Sequence, residues 1–462
     1  MTDGLDLNLD EYRFDTKPSD ADKAEYGEIY TPRPLVESTL DMLPEACFAD
    51  PTSTWLDPGA GTGHFSVVLF HRLMDGLQGA LPDASERRRH IIANMLHMVE
   101  LKPDSVARLR ETFGPGANIV QGDFTATPGC PTFDFVIGNP PYNANGTKKV
   151  PTNNVKKKRG DGRTVWTAFV RRAMESLRCG GRMLFVVPSI WMKPDRAGMY
   201  SFMTARNLER VVCMSSGETS RAFKGAAQTP TCCVLVRNSP GDGSVDLFDR
   251  DAACYVRHAL APGRAIPIYG ASVVNKLLAL VGRSGSLAVH KTNMPPPDVR
   301  ISTSRTRACS HPNIRTCVLD GSQPKLLIDY SDEKLAFAGV PKLVMAHKMH
   351  GLPYIDKEGR FGISNRDAYV ICGRDVGDLE RIAAFLRTRL ALYVFEAARY
   401  RMRYLERYAF EFIPDITNLS DFPAVINDTS VADYVGLSDG ERASVGSLYR
   451  KDYSAIPSID SE

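Results

Sequence analysis

The chain has 462 residues, of which 43% are hydrophobic and 24% charged, and a formal net charge of +3. At roughly 100–200 residues per domain, this length supports two or three domains, each with its own core. A charge of +3 excludes a uniformly basic coat, so any polyanion site has to come from local clustering. No window approaches the roughly 18 uninterrupted apolar residues of a membrane span, and the N-terminal residues carry no signal-peptide core. These features predict a soluble, intracellular (cytoplasmic) protein with no membrane partner. The ten cysteines show no Cys-x-x-Cys pair and no zinc ladder, which predicts reduced thiols and no metal.

Residues 1–26 are acidic and polar and read as a flexible N-terminal arm. Short, nearly continuous apolar runs follow at Thr54–Asp57, His97–Leu101, Asn118–Gly122, Phe133–Gly138, Arg182–Pro188, Leu208–Met214 and Thr231–Arg237. Such runs suit strands buried on both faces. Helical patterns lie between several of them, as at Phe65–Leu77 and Trp166–Arg178. This alternation predicts an α/β fold with a doubly wound, mainly parallel, Rossmann-like sheet. The turn-rich run from Asn238 (Asn-Ser-Pro-Gly-Asp-Gly-Ser) sets a domain boundary near 240. A second, α+β domain is expected over 241–420 and an acidic C-terminal tail over 421–462. Residues 250–410 hold 25 basic and 14 acidic side chains, and residues 411–462 hold 3 and 10, so the charge is segregated.

The glycine-rich turn Asp57-Pro-Gly-Ala-Gly-Thr-Gly63 follows the first strand and precedes a helix. Gly59 and Gly61 allow close backbone approach by a ligand. Asp57 can accept from a cationic amine. Glu100 ends the second strand, where an acid can hold a ribose diol. Asp123 follows the third, where it can accept from an adenine amine. One such turn is a weak signal, whereas three strand-end acids in order are stronger.

The sharpest signal is Asn139-Pro-Pro-Tyr142 at the end of a buried strand. An exocyclic amine conjugated into an adenine ring is a poor nucleophile. Two acceptors, the Asn139 side-chain oxygen and the Pro140 carbonyl, would draw its lone pair out of the ring. Pro140 and Pro141 stiffen the turn, and Tyr142 offers a face on which an extruded base can stack.

These segments resemble the TaqI-type amino-methyltransferases, within the adenine-N6 DNA methyltransferases of restriction–modification systems. The resemblance covers about residues 27–238, and 340–420 more loosely. It implies a methyltransferase domain over 27–240 with S-adenosylmethionine as cofactor. The segment from Gly27 to Val36 resembles the family's first cofactor motif, centred on Thr31. Phe169 would pack on the cofactor adenine, and Phe223 would form the other wall of the base pocket. The motif order resembles the gamma arrangement, which implies a C-terminal target-recognition domain. His64 departs from the pattern, as does the long insertion between Asn143 and Thr164.

Double-stranded DNA is the expected partner, with a separate cognate restriction endonuclease as a further candidate. The basic run 148–159 contributes Lys148, Lys149, Lys156, Lys157, Lys158 and Arg159 as phosphate contacts. A helix over 397–408 would place Tyr400, Tyr404 and Tyr408 on one face, with Arg399 and Arg403 toward phosphates. An RNA adenine methyltransferase, a protein-glutamine methyltransferase and a catalytically silent DNA-binding protein are the competing readings. No nuclease constellation is present, so methylation alone is expected.

Overall fold

The structure, a computed structural model, describes residues 9, 12–14, 19–126, 132–144, 163–227, 229–320, 323–347, 352–400 and 405–448. The chain divides into two compact units, one of 1–248 with 257–263 and one of 249–256 with 264–462. Among the described residues no helix is long and apolar enough to cross a membrane.

The strands of the first unit are β1 (Trp55–Asp57), β2 (Leu96–Glu100), β3 (Asn118–Gln121), β4 (Phe133–Gly138), β5 (Asn143–Ala144), β6 (Arg163–Thr164), β7 (Leu177–Pro188), β8 (Arg206–Met214), β9 (Thr231–Pro240), β10 (Ser244–Asp249) and β11 (Cys254–Ala259). β5 and β6 pair as a separate two-stranded ribbon. The other nine form one sheet in the order β11-β10-β8-β9-β7-β4-β1-β2-β3. From β3 to β7 the neighbours are parallel, and β9 runs antiparallel between β7 and β8. The helices are α1 (Asp20–Glu25), α2 (Arg33–Leu40), α3 (His64–Gly76), α4 (Ala84–His90), α5 (Pro103–Phe113), α6 (Trp166–Glu175), α7 (Met199–Thr204) and α8 (Ser216–Ala222).

All three residues of β1 are buried, as expected for the middle of a parallel sheet. Trp55 stacks between Phe48 and Phe135, with ring centroids 5.5 and 3.9 Å apart. Strand order reverses between β1 and β4, which opens a crevice at their carboxyl ends where ligands of such sheets bind. The polar α4 is capped by the Asp83 side chain on the Glu86 N–H, and a π-helical turn over Ile91–Met95 leads from it into β2.

Three features differ from the sequence reading. The turn after Asn238 joins β9 to β10, which returns to the same sheet beside β8. Turn composition marks the break in a strand but not where the next strand goes, and the units part at Phe248 instead. Within the expected arm, Leu9, Tyr12 and Phe14 pack on the core of the first unit. Within the expected acidic tail, helices form over Asp428–Val435 and Asp439–Gly446.

The second unit holds the helices α9 (Ala271–Ser284), α10 (Val376–Arg387), α11 (Arg389–Ala397), α12 (Asp428–Val435) and α13 (Asp439–Gly446). Its strands are β12 (His290–Lys291), β13 (Ile301–Ser302), β14 (His311–Asp320), β15 (Gln323–Ser331), β16 (Lys342–Ala346), β17 (Tyr354–Asp356), β18 (Gly362–Ile363) and β19 (Ala368–Cys372). They form two four-stranded sheets, β12-β19-β16-β17 and β13-β15-β14-β18. Ile314, Val344, Ile363 and Val370 belong to one apolar cluster of this α+β unit. Fully buried Lys342 donates to Asp356 at 2.6 Å, and Asp356 also accepts the N–H groups of Arg360 and Phe361. Capping boxes at Asn427 and Ser438 start α12 and α13. The acids Asp421, Asp433 and Glu441 pair with Arg283, Arg442 and Lys276 of the same unit.

Among the described residues the expected helix over 397–408 is not seen. α11 ends at Ala397, and a 3-10 turn covers Arg407–Phe412. Tyr400 is fully buried and donates its hydroxyl to the Ile266 carbonyl at 2.5 Å, so it is core. Arg399 pairs with buried Glu396. Arg403 and Tyr404 lie outside the described residues.

Candidate active site

A cavity of about 410 Å³ opens in the first unit at the carboxyl ends of β1, β2, β3 and β4. Thr31, Asp57, Gly59, Gly61, Glu100, Asp123 and Phe169 line it, together with Asn139, Pro140, Pro141, Tyr142 and Phe223. Segments spread over nearly two hundred positions of sequence therefore meet in one place. The Lys148–Arg159 candidates lie outside the described residues.

Asp57 ends β1 and accepts from the Ser66 hydroxyl at 2.8 Å. Burial pushes its carboxyl up to about 7; Ser66 and the Gly59 N–H pull it down, and nearby Glu100 adds to the rise. A buried acid so placed gains most from a cationic partner. Glu100 ends β2 and accepts the N–H groups of Gly61 and Lys102, each at 2.8 Å. Burial raises its pKa, and these backbone donors oppose the rise. Gly61 has φ of +55°, a left-handed conformation that turns its N–H toward Glu100. Asp123 follows β3 and accepts from the Thr125 N–H at 2.8 Å and hydroxyl at 2.7 Å.

Phe169 on α6 lies 5.7 Å, centroid to centroid, from Phe124, a cavity residue that the sequence reading missed although it follows Asp123 directly. Gly59 leaves a cradle here: a Cβ at that position would sit 3.6 Å from the Phe169 ring. Lys102, just after β2, pairs with Asp22 of α1 at 2.8 Å and with Glu28 at 3.5 Å, tying α1 and the first motif to that loop.

Asn139 leaves β4 with its amide committed on one side only. Its Nδ2 donates to the Thr31 hydroxyl at 3.0 Å, while its buried Oδ1 has no partner among the described residues. Thr31 is itself fixed, because its carbonyl meets His64 Nδ1 at 2.7 Å. His64 is buried, its pKa is lowered by that burial, and its ring packs against Tyr12, Phe14 and Tyr30. The His64 departure thus has a place: it anchors the residue that orients Asn139. Sequence spacing could not reveal a link between positions 31, 64 and 139. Tyr142 is buried, with its hydroxyl donating to the Val186 carbonyl at 3.4 Å, and its pKa is well above the ordinary tyrosine value because of burial.

The comparisons fit this geometry. Residues 96–218 match the family model of the Eco57I restriction-modification methylase. The type II methyltransferase M.PaeR7I of Pseudomonas aeruginosa is 25% identical over 241 residues, covering 46% of this chain and 41% of its own length. M.XhoI of Xanthomonas vasicola is 25% identical over 243 residues, covering 47% and 43%. Among solved structures, the type I restriction enzyme EcoKI M protein is similar with a TM-score of 0.36 and 18% identity over 48% of each chain. The chain spans less than half the length of the two curated relatives.

The fold and the family match define a Rossmann-like methyltransferase domain. Over residues 96–218 the chain is similar to the restriction–modification methylases, and S-adenosylmethionine is the cofactor that this similarity supports. The residues present fit that group: buried Asp57 suits a cation, Glu100 and Asp123 are acceptors, and the rings of Phe124 and Phe169 line the same cavity beside Gly59.

Proposed function

We propose that the protein is a site-specific DNA methyltransferase of the gamma arrangement, acting on the N6 amine of an adenine extruded from the duplex. The observation that carries this reading is Asn139, a cavity residue whose Nδ2 is held by Thr31 and whose buried Oδ1 has no partner among the described residues. Bound S-adenosylmethionine supplies a methyl group made electrophilic by its sulfonium. Asp57 would hold the cofactor's ammonium, Glu100 its ribose hydroxyls and Asp123 its adenine amine, and Phe169 would pack on the adenine ring.

Asn139 Oδ1 and the Pro140 carbonyl each accept one N–H of the target amine. Two acceptors below the ring plane favour a pyramidal nitrogen and so free its lone pair for attack. Because Thr31 fixes the Asn139 amide in advance, the acceptor does not have to be reoriented during the reaction. Tyr142 and Phe223 flank the base; the hydroxyl bond to Val186 keeps the Tyr142 ring from swinging. The extra proton on the methylated nitrogen leaves by way of these acceptors to water, with no ionised base in the tetrapeptide.

The second unit serves as the target-recognition domain, and the Lys148–Arg159 run meets phosphates. A separate endonuclease reading the same site would complete a restriction–modification pair. The test is incubation of the purified protein with methyl-labelled S-adenosylmethionine and unmodified plasmid DNA or RNA. Label should enter DNA, Asn139→Ala should abolish transfer, and its cofactor affinity should stay within about threefold of the parent. Label in RNA alone, or full turnover by Asn139→Ala, would overturn the reading.

A further inference from the structure

We infer that Arg163 and Lys224 grip the backbone phosphate of the nucleotide whose base enters the cavity. The inference rests on the proposed DNA substrate and adds two residues that neither the motifs nor the family match assigns. It begins from a charge problem. Among the described residues the cavity wall carries five carboxylates, Glu25, Glu28, Asp57, Glu100 and Asp123, against two strong cations, Lys102 and Arg163. Lys102 is taken up by Asp22 and Glu28. A nucleotide approaching such a cavity brings its own negative phosphate, so entry requires cations that are not already paired.

Arg163 meets that requirement. It lines the cavity, is exposed, and has no partner among the described residues. Its position is tied to the catalytic turn. In the β5–β6 ribbon Ala144 stands opposite Arg163 and Asn143 opposite Thr164, and the Val165 N–H donates to the Tyr142 carbonyl at 3.1 Å. The guanidinium is therefore carried on the strand that closes the Asn139–Tyr142 turn, and its planar fork matches phosphate oxygens.

Lys224 comes from the Phe223 wall. α8 opens with a Ser215–Glu218 capping box and ends at Ala222. Phe223 and Ala227 line the cavity, while residues 224–226 between them are exposed. Lys224 has φ of +48°, one of three positive-φ non-glycine residues among those described, with Gly225 directly after it at +83°. A side chain in that conformation is strained by its own Cβ. A cation at an exposed helix C-terminus recovers only part of that cost. The difference points to a side chain kept for what it binds, since glycine would serve the turn better. A lysine is a point charge that reaches a phosphate from any side, which complements the directional arginine.

The test uses the full chain and the variants Arg163→Gln and Lys224→Gly. The probe is a duplex carrying the site mapped by sequencing modified plasmid, with 2-aminopurine at the target adenine. Each variant should flatten the slope of log affinity against log salt by about 0.9, the signature of one lost phosphate contact. Each should also weaken the 2-aminopurine signal of extrusion. Lys224→Gly should melt at or above the parent while doing so, which a merely structural lysine would not explain, and cofactor affinity should stay within about twofold in both. Parent-like salt slopes and extrusion signals in both variants, beside a parent that methylates the duplex, overturn this inference alone. An effect of one variant only removes the other residue from the grip. No transfer to DNA by the parent overturns the proposed function, and this inference with it.

Discussion

Replacing Thr31 by Val removes one hydroxyl and keeps a β-branched side chain of nearly the same volume at a buried position. In the parent that hydroxyl accepts the Asn139 Nδ2–H at 3.0 Å, and Oδ1 has no partner among the described residues. Without it the Nδ2 donor is stranded, at a cost of about 1–3 kcal/mol for an unsatisfied buried polar group. The side chain escapes that cost by rotating toward water, which carries Oδ1 off its line. If the escape takes up about 1.5–3 kcal/mol, single-turnover transfer slows by about ten- to a hundredfold. Thr31→Ser, which keeps the hydroxyl, should recover most of the rate. Single-turnover methylation at saturating cofactor reads the rate, and calorimetry reads cofactor affinity, expected to move less than about threefold. A parent-like rate combined with a tenfold loss of cofactor affinity would refute the reasoning, because Thr31 would then be a cofactor contact and not the holder of Asn139.

Further outcomes follow from other sites. The Asp57 carboxyl, pushed up to about 7 by burial, holds a proton in the folded, cofactor-free protein that the unfolded chain releases near its ordinary value of 3.8. Its contribution to stability is thus full below about pH 4 and is lost as pH rises toward 7, by at most about 4 kcal/mol. Since a cation selects the ionised form, cofactor affinity should rise about fivefold from pH 6 to pH 7 and become flat in Asp57→Asn; a flat profile in the parent contradicts the assignment. Gly27 has φ of +70°, and a Cβ there would lie 1.8 Å from the Asn143 carbonyl oxygen. Gly27→Ala should therefore cost more than the about 1–2 kcal/mol of its backbone conformation alone and lower the melting temperature; an unchanged Tm would contradict that packing. In the second unit, Lys342→Met strands buried Asp356 and should cost about 3–5 kcal/mol in urea denaturation, partly offset by the two N–H groups that Asp356 also accepts. A parent-like urea midpoint would show the pair to be dispensable.

The sheet was legible because buried parallel strands are written as uninterrupted apolar runs. All seven expected strands lie within a few residues of β1–β4 and β7–β9. The glycine turn, the strand-end acids and Asn139–Tyr142 were legible because each sits at a strand end, and the topology of the sheet brings those ends to one cavity. What local pattern could not supply was tertiary. The i, i+4 spacing of Tyr400, Tyr404 and Tyr408 matched a helix, yet Tyr400 is buried in the core and α11 stops before it. The acids after position 421 looked solvated because their partners Lys276 and Arg283 lie more than a hundred residues earlier. The Ser438–Glu441 capping box, by contrast, was readable and marked a helix within the supposed tail. The Thr31–Asn139 bond spans 108 positions and leaves no local trace.

The most direct measurement of the central claim is mass spectrometry of nucleosides from unmodified duplex DNA incubated with the protein and deuterated-methyl cofactor. N6-methyladenosine of the deoxy series, carrying the deuterated methyl group, is the product expected with the parent, and none with Asn139→Ala. Deuterium in any other nucleoside, or in the same nucleoside at equal yield without the Asn139 side chain, would contradict the account.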